Sequence, residues 1–501
     1  MKIITTVIDV MEITEIIIIT AIVTKRMWDA NKRPFFPYWS ENMRESGTIA
    51  AIATAMTGAG IGIVRVSGDQ AFEIVEKIFR PQRPGKKLTE QNTYTMHYGN
   101  IVDGDEAIDE VIVLLMRGPH SYTAEDTAEI DCHGGVYVMK RILELVIRNG
   151  ARAAEPGEFT KRAFLNGRID LSQAEAVMDV IQAKNEYALR SSVRQLKGSV
   201  LRLVKEIREQ VIYEIAFIES ALDDPEHVSL DGYPEKLRKK VENLIQMAED
   251  LLIHADQGRI LKEGIRTVIV GKPNAGKSSL LNVLTGDERA IVTEIAGTTR
   301  DILEEQVRVR GLVLNIVDTA GIRKTKDRVE KIGVDRAKDA LKDADLVLYV
   351  VDSSTELDEN DREIMELLQD QRVIVLLNKT DLAMKTTPEM VEQMFLRPTV
   401  GISVREESGF ERLEDLLEEM FLNGTISYEE ETYLTSVRHK TAMEEAKESL
   451  KKVLESINCG MPEDFYSIDL MDAYESLGKI LGESVGEDLV NEIFQKFCVG
   501  K

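Results

Sequence analysis

The octapeptide "GKPNAGKS", Gly271 to Ser278, restricts the fold of its surroundings more than any other stretch of this chain. The pattern G-x-x-x-x-G-K-[ST] needs a strand before it and a helix after it, so that backbone N–H groups and the positive helix end converge on a phosphate. Both neighbours are present: "RTVIV" reads as a buried strand and "SLLNVLTG" as a helix. Lys277 then reaches the β- and γ-phosphates of a nucleotide and Ser278 ligates Mg²⁺, while Asn274, Ala275, Gly276 and Ser279 complete the cradle.

The surroundings extend the pattern. From Ile265 the apolar runs "RTVIVG", "LVLNIVD", "DLVLYVVD" and "RVIVLLNK" alternate with helical segments, as buried parallel strands do. A strand in "TVGISV" and a helix near "FERLEDLLEEMF" complete this α/β domain around Asn423. Two motifs sit at strand ends. In "DTAG", Asp318 is directed at Mg²⁺, with Thr319 and Ala320 beside it and Gly321 sensing the γ-phosphate. In "NKTD", Asn378 and Lys379 precede Asp381, which accepts hydrogen bonds from guanine N1–H and the 2-amino group. Adenine does not present that pair, so GTP is selected over ATP. Ser403 in "ISVREESG" falls in the base-contacting loop, with Val404 where an alanine is usual. In "TEIAGTTRD", Thr299 is the second Mg²⁺ ligand of a switch loop that also brings Thr293, Glu294, Ile295, Ala296, Gly297 and Thr298 to the nucleotide. The residue after "DTAG" is Ile322, where Ras-like enzymes carry a water-orienting glutamine.

A chain of 501 residues exceeds one hydrophobic core and predicts roughly three or four domains of about 150 residues. A net charge of −24 makes the surface as a whole repel nucleic acid and anionic membrane, so an RNA partner needs a local basic patch. Cys132, Cys459 and Cys498 have no metal-ligand spacing, and three sparse cysteines fit a reducing cytoplasm. The apolar run in "MEITEIIIITAIVTKR" is far shorter than the ~20 residues that span a bilayer, so no membrane association is expected. Residues 1–42 read as a poorly ordered extension or an upstream start before Met43, with a buried strand as the rival reading.

Between Thr48 and Phe159, short strands ("TIAAIATA", "GIGIVRVSG", "AIDEVIVLLMR", "TAEIDCHGG") and helices ("DQAFEIVEKIF", "GVYVMKRILELVIRNG") predict a compact α+β domain. His133 beside Cys132 makes a poor metal site; Gly134 and Gly135 suggest a tight backbone turn instead. A long helical region follows, with Leu189, Val193, Leu196, Val200, Val204, Ile207, Val211 and Ile215 on one apolar stripe. Arg190, Arg194, Lys197, Lys205 and Arg208 fall opposite it, as a solvated face or as contacts to an RNA backbone. Helix returns after Thr425, so the α/β domain reads as an insertion into a helical domain whose two halves pack together.

Taken together, "GKPNAGKSSLLN", "IVTEIAGTTRD", "DTAGIR…VEKIG" and the terminal "FCVGK" resemble the MnmE (TrmE) family of tRNA-modification GTPases from about Gly47 to Lys501. The resemblance implies a multidomain α/β plus α+β architecture. Residues 43–162 form an N-terminal α+β folate-binding and dimerisation domain, 163–263 and 425–501 a discontinuous helical domain, and 264–424 an inserted Ras-like P-loop GTPase domain. It implies a K⁺ ion held by Asn274, Thr293, Ile295 and Thr298, and a catalytic Glu330 orienting the water in place of the missing glutamine. From spacing alone Glu330 could equally be a first-turn acid of a helix. For a formyl- or methylene-tetrahydrofolate carrier it implies contacts from Arg65, Glu129, Arg168 (where lysine is commoner) and Lys501. Cys498 becomes either a thiol near the modification centre or an inert tail residue. The implied activity is GTP hydrolysis in a cytoplasmic homodimer that modifies C5 of the tRNA wobble uridine. It would work in a heterotetramer with an MnmG-like protein carrying FAD and using NADH. The alternatives are an Era-like ribosome-assembly GTPase switch, which usually carries a basic RNA-binding module after the G domain, and a stand-alone folate enzyme, which leaves the nucleotide motifs unexplained.

Overall fold

The computed structural model describes residues 47–83, 85–253, 255–286, 304–317, 341, 344–421, 434–483 and 485–500. The expectations for 1–42, the "TEIAGTTRD" loop, the "DTAG" motif, Glu330 and Lys501 lie outside them. The chain divides into two compact units, one drawn from Met1–Ile181, Val193–Leu252 and Val437–Lys501, the other from Gln182–Ser192 and Ile253–Ser436.

In the first unit, strands β1 (Ile49–Ile52), β2 (Ile61–Ser67), β3 (Phe79–Pro81), β4 (Thr95–Asp103), β5 (Glu106–Met116), β6 (Thr127–His133) and β7 (Arg152–Ala153) form a sheet in the order β3-β4-β5-β6-β2-β1-β7. All neighbours run antiparallel except β1 and β7. Strand alternation sends Val64, Val66, Val113 and Ile130 into a core shared with Ile74, Val75 and Ile78 of helix α1 (Ala71–Ile78) and Met139, Ile142 and Val146 of helix α2 (Val136–Arg148). Gly134 approaches the backbone closely, since a Cβ there would fall 2.3 Å from the Ala59 carbonyl oxygen.

Helix α3 (Glu158–Leu165) follows, carrying Glu158, which is almost fully buried. Its carboxylate takes Arg152 Nη1 at 2.8 Å and Arg162 Nη2 at 3.0 Å, and Arg162 also pairs with Glu125 at 3.0 Å. Next come α4 (Leu171–Gln182), α5 (Glu186–Leu196) and α6 (Ser199–Asp223). The long helical region expected here is broken between α5 and α6, because Gly198 adopts φ 85°, a left-handed conformation that stops the helix ladder. Val200, Val204, Ile207, Val211 and Ile215 are buried as the stripe predicts, but Leu189 is 42% exposed. The basic face needs a correction: Arg208 is buried, pairs with Glu483 at 2.6 Å and stacks on Tyr474 with its guanidinium carbon 4.0 Å from the ring centre. It ties α6 to the C-terminal helices and contributes nothing to a solvated stripe. Helix α7 (Tyr233–Ile253) continues the helical array.

The second unit contains helix α8 (Ala255–Glu263), strand β8 (Ile265–Gly271), helix α9 (Lys277–Leu284), β9 (Glu304–Val309), β10 (Leu312–Val317), β11 (Leu346–Asp352), α10 (Glu359–Leu367), β12 (Val373–Asn378), α11 (Pro388–Phe395), β13 (Thr399–Gly401) and α12 (Phe410–Phe421). The sheet order is β13-β12-β11-β8-β10-β9, parallel except for the β9–β10 hairpin. Its central strands are apolar on both faces because helices cover both.

After residue 436 the chain re-enters the first unit as α13 (Val437–Asn458), α14 (Glu463–Leu481) and α15 (Glu487–Gln495). Helix α14 packs on both α13 and α6. At the start of α13, Arg438 Nε donates to Glu175 Oε1 of α4 at 2.9 Å, and the buried His439 lies 2.8 Å from Glu175 Oε2. Burial opposes the charge on Glu175, but the His439 and Arg438 partners prevail and hold its pKa at about 2.

Candidate functional site

The C-terminal ends of parallel strands are where an α/β sheet receives a ligand. Here they open a cleft of about 1120 Å³ between the 271–278 loop and the segment after β12, lined by Asn274, Gly276, Lys277, Ser278, Lys379 and Asp381 among others. The loop achieves its tight wrap through Asn274 at φ 65° and Gly276 at φ 104°. At Gly276 no side chain fits, since a Cβ would fall 2.1 Å from Asn378 Nδ2. Lys277 begins helix α9, and its ammonium donates to the carbonyl oxygens of Gly271 at 2.6 Å and Lys272 at 2.7 Å.

Asn378 ends β12 and is buried at the base of the cleft. Its amide donates to the Ala275 carbonyl at 2.9 Å, and its Oδ1 accepts the backbone N–H of Lys379 at 2.8 Å and of Val404 at 3.2 Å. One side chain thus clamps the phosphate loop to the two segments expected at the base. Asp381 Oδ1 accepts a 2.7 Å hydrogen bond from Ser403 Oγ, which orients the carboxylate. Val404 supplies its backbone N–H to this clamp. Lys379, at φ 65°, pairs with Asp352 at the end of β11. Burial pushes the Asp352 carboxyl up, but the Lys379 ammonium and the Ser354 hydroxyl outweigh it and hold it below its ordinary value.

Among the expected nucleotide residues, Asn274, Ala275, Gly276, Lys277, Ser278, Ser279, Asn378, Lys379, Asp381 and Ser403 therefore come together around one cleft. Thr293, Glu294, Ile295, Ala296, Gly297, Thr298, Thr299, Asp318, Thr319, Ala320, Gly321 and Glu330 fall outside the described residues. Ser278, in the first turn of α9, and Asn274 offer hard oxygen donors at the cleft, which suits Mg²⁺ and K⁺. Among the described residues no cluster of three or more His, Cys, Asp or Glu is arranged to hold a metal.

A second constellation lies on the first unit's sheet. Arg65 and Glu129 face each other across β2 and β6, and Arg65 Nε donates to Glu129 Oε1 at 2.7 Å. The Arg65 guanidinium also stacks near Tyr122 and Phe159, with 5.7 Å and 5.6 Å to the ring centres, while Arg168 lies 5.0 Å from the Tyr122 ring. The tail folds back here: Arg65 Nη1 donates to the Gly500 carbonyl at 3.1 Å, which brings the residue before Lys501 to the cluster. Cys498 is exposed, and its carbonyl accepts the Gly157 N–H at 3.4 Å. Tyr122 is the member that motif spacing missed. Its phenol is pushed up by burial against the opposing pull of Thr160, Arg168 and Arg65. It lies inside the stretch "GPHSYTAEDTAEIDCHGG", but nothing local marks it as a platform for two arginines.

The phosphate loop between β8 and α9, clamped through Asn378 to the segments that carry Asp381 and Ser403, defines a P-loop GTP hydrolase. The N-terminal sheet and divided helical array mark out a particular branch of that class. A model of the MnmE helical domain matches residues 171–498, and a model of the GTP-binding protein TrmE N-terminus matches residues 48–168. The tRNA modification GTPase MnmE of Lachnoclostridium phytofermentans is 57% identical over 457 residues, covering 91% of this chain and all of the relative. That of Clostridioides difficile is 48% identical over 455 residues, covering 91% and 99%. Among solved structures, the G domain of the T. maritima FeoB iron transporter is 28% identical over 31% of this chain and 97% of its own, with a TM-score of 0.25. The chain belongs to the MnmE (TrmE) family. Among the described residues no helix is long and apolar enough to cross a membrane.

Proposed function

We propose that this protein hydrolyses GTP to drive modification of the wobble uridine of tRNA, together with an MnmG-like FAD protein that uses NADH and with a folate one-carbon carrier. The single observation that carries the reading is the clamp at Asn378, which joins a phosphate cradle to a guanine-reading carboxylate in a chain 57% identical to a tRNA modification GTPase. Lys277 and the N–H groups at the start of α9 neutralise charge on the phosphates, and Asp381, braced by Ser403, selects the base. Ser278, Thr299 and Asp318 would hold Mg²⁺, and Asn274, Thr293, Ile295 and Thr298 would hold K⁺. These cations supply positive charge at the phosphate oxygens where a side-chain finger is lacking. Glu330 orients the attacking water, the duty that Ile322 cannot perform.

The Arg65, Glu129 and Arg168 cluster suits a folate carrier. A carboxylate accepts from pterin N–H groups, the arginines match carboxylates, and Tyr122 offers an aromatic face. Lys501 completes the set in this reading, and Cys498 remains a tail thiol close by. A homodimer through the N-terminal domain is supported by the outer face of β4 and β5, where Met96, Tyr98 and Ile112 expose apolar side chains to solvent.

The test has two arms. GTP hydrolysis by the full chain is measured in K⁺ and in Na⁺, with faster turnover expected in K⁺. Equal rates remove the potassium assignment. Wobble nucleosides of tRNA from a strain lacking the gene are analysed beside those of its parent, and an unchanged profile overturns the tRNA reading.

A further inference from the structure

Lys277 and Ser278 are absorbed by the nucleotide reading, but a second lysine in the same turn is not. The ammonium of Lys272 lies between two carboxylates of the α10 start, 2.6 Å from Asp361 Oδ2 and 2.8 Å from Asp358 Oδ2. Asp361 is 1% exposed and cannot move to follow solvent. Its other oxygen accepts the hydroxyl of the fully buried Tyr349 at 2.6 Å, and its Oδ2 also accepts the Asp358 backbone N–H at 2.9 Å. Asp358 in turn caps α10 by accepting the N–H groups of Asn360 and Asp361. The anchor is therefore built into the β11–α10 connection, with Asp361 buried and held at both oxygens.

The backbone of the anchored residue is what the phosphate-binding lysine leans on. The carbonyl oxygens of Gly271 and Lys272 both accept the Lys277 ammonium, at 2.6 and 2.7 Å, and the Lys272 carbonyl also takes the Ala275 N–H at 3.3 Å. We propose that Lys272 is a positioning residue for GTP hydrolysis: its ion pairs with Asp358 and Asp361 fix the two carbonyls that aim Lys277 at the phosphates. The proposal rests on the GTPase reading above and deepens it. A misplacement of about 1 Å in such a group lowers a rate by about 10²-fold, so a rigid support is a catalytic requirement and not only a contribution to folding. The charge on Lys272 is secure, because the paired carboxylates outweigh the burial that opposes it.

The experiment uses the full chain. GTP and GDP affinities, kcat, KM and the thermal midpoint are measured for wild type, Lys272→Met, Lys272→Arg and the double variant Lys272→Met with Asp361→Asn. Met keeps the aliphatic stem and drops the charge, and the double variant removes the carboxylate that Met would leave unpaired, so a folded protein without the tether is available. Nucleotide Kd is expected to rise at least tenfold in the Met and double variants, with a fall in kcat, and to return to within threefold of wild type in Lys272→Arg. A double variant that binds GTP within twofold of wild type with unchanged kcat overturns the proposal, as does an Arg variant no better than Met. A wild-type chain that binds no guanine nucleotide overturns the preceding reading and this one together. Wild-type binding with an unaffected double variant overturns this one alone.

Discussion

Replacing Glu175 by glutamine removes the carboxylate that faces both Arg438 and His439. Glu175 and Arg438 are 16% and 17% exposed, so the variant strands the Arg438 guanidinium with little solvent to screen it. The shift from the ordinary 4.5 to about 2 puts a scale on the loss. At 1.36 kcal/mol per unit it amounts to roughly 3 kcal/mol at neutral pH, within the ~3–5 kcal/mol range for breaking a buried pair. The sign follows from a depressed carboxyl: the stabilisation is complete above the unfolded value near 4.5 and is lost as pH falls from there towards 2. By pH 3 the difference between wild type and Glu175→Gln is expected to shrink to about 1–1.5 kcal/mol. The assay is thermal unfolding followed by far-ultraviolet circular dichroism at pH 7, 4 and 3. For a unit of this size the neutral-pH loss lowers the midpoint of the helical transition by about 6–12 °C. A shift below about 2 °C at pH 7, or one that stays constant down to pH 3, refutes the assignment of this cluster as a charged lock between α4 and α13.

Other perturbations test other parts. Asp381→Asn exchanges an acceptor pair for an amide, so GTP affinity falls about 100-fold or more while xanthine nucleotides gain; fluorescent-nucleotide titration with both bases checks this. Gly276→Ala places a Cβ 2.1 Å from Asn378 Nδ2 at φ 104°, so the thermal midpoint drops and GTP Kd rises at least about tenfold by equilibrium titration. Burial pushes the Cys132 thiol up to about 11, so a thiol reagent at pH 8 labels Cys132 at least about 100-fold more slowly than the exposed Cys459 and Cys498, as peptide mass spectrometry of the native protein would show.

The nucleotide cleft was legible because its chemistry is local. A phosphate cradle needs consecutive backbone N–H groups, so "GKPNAGKS" had to be a strand, a turn and a helix start, and "NKTD" had to leave a strand end. Apolar periodicity likewise announced the buried β strands and the stripe along α6. It could not announce the break at Gly198, since a single glycine is tolerated within helical patterns and only the packing decides whether it takes a left-handed turn.

The rest is a matter of partners far apart in the chain. Arg208 has the same helical spacing as Lys205, yet one is buried on Tyr474 and Glu483 because the C-terminal helices return to cover it. Lys272 meets Asp361, Glu175 meets Arg438, and Gly500 meets Arg65 only after strands and helices have been ordered in space. By itself the sequence determined which segments are strands, which turn cradles phosphate and which base is read, because each depends on neighbours within a few residues. The tertiary structure alone decided which charges are paired and buried. That depends on which surfaces meet, and a one-dimensional pattern records a residue's polarity but not the residue that will compensate it.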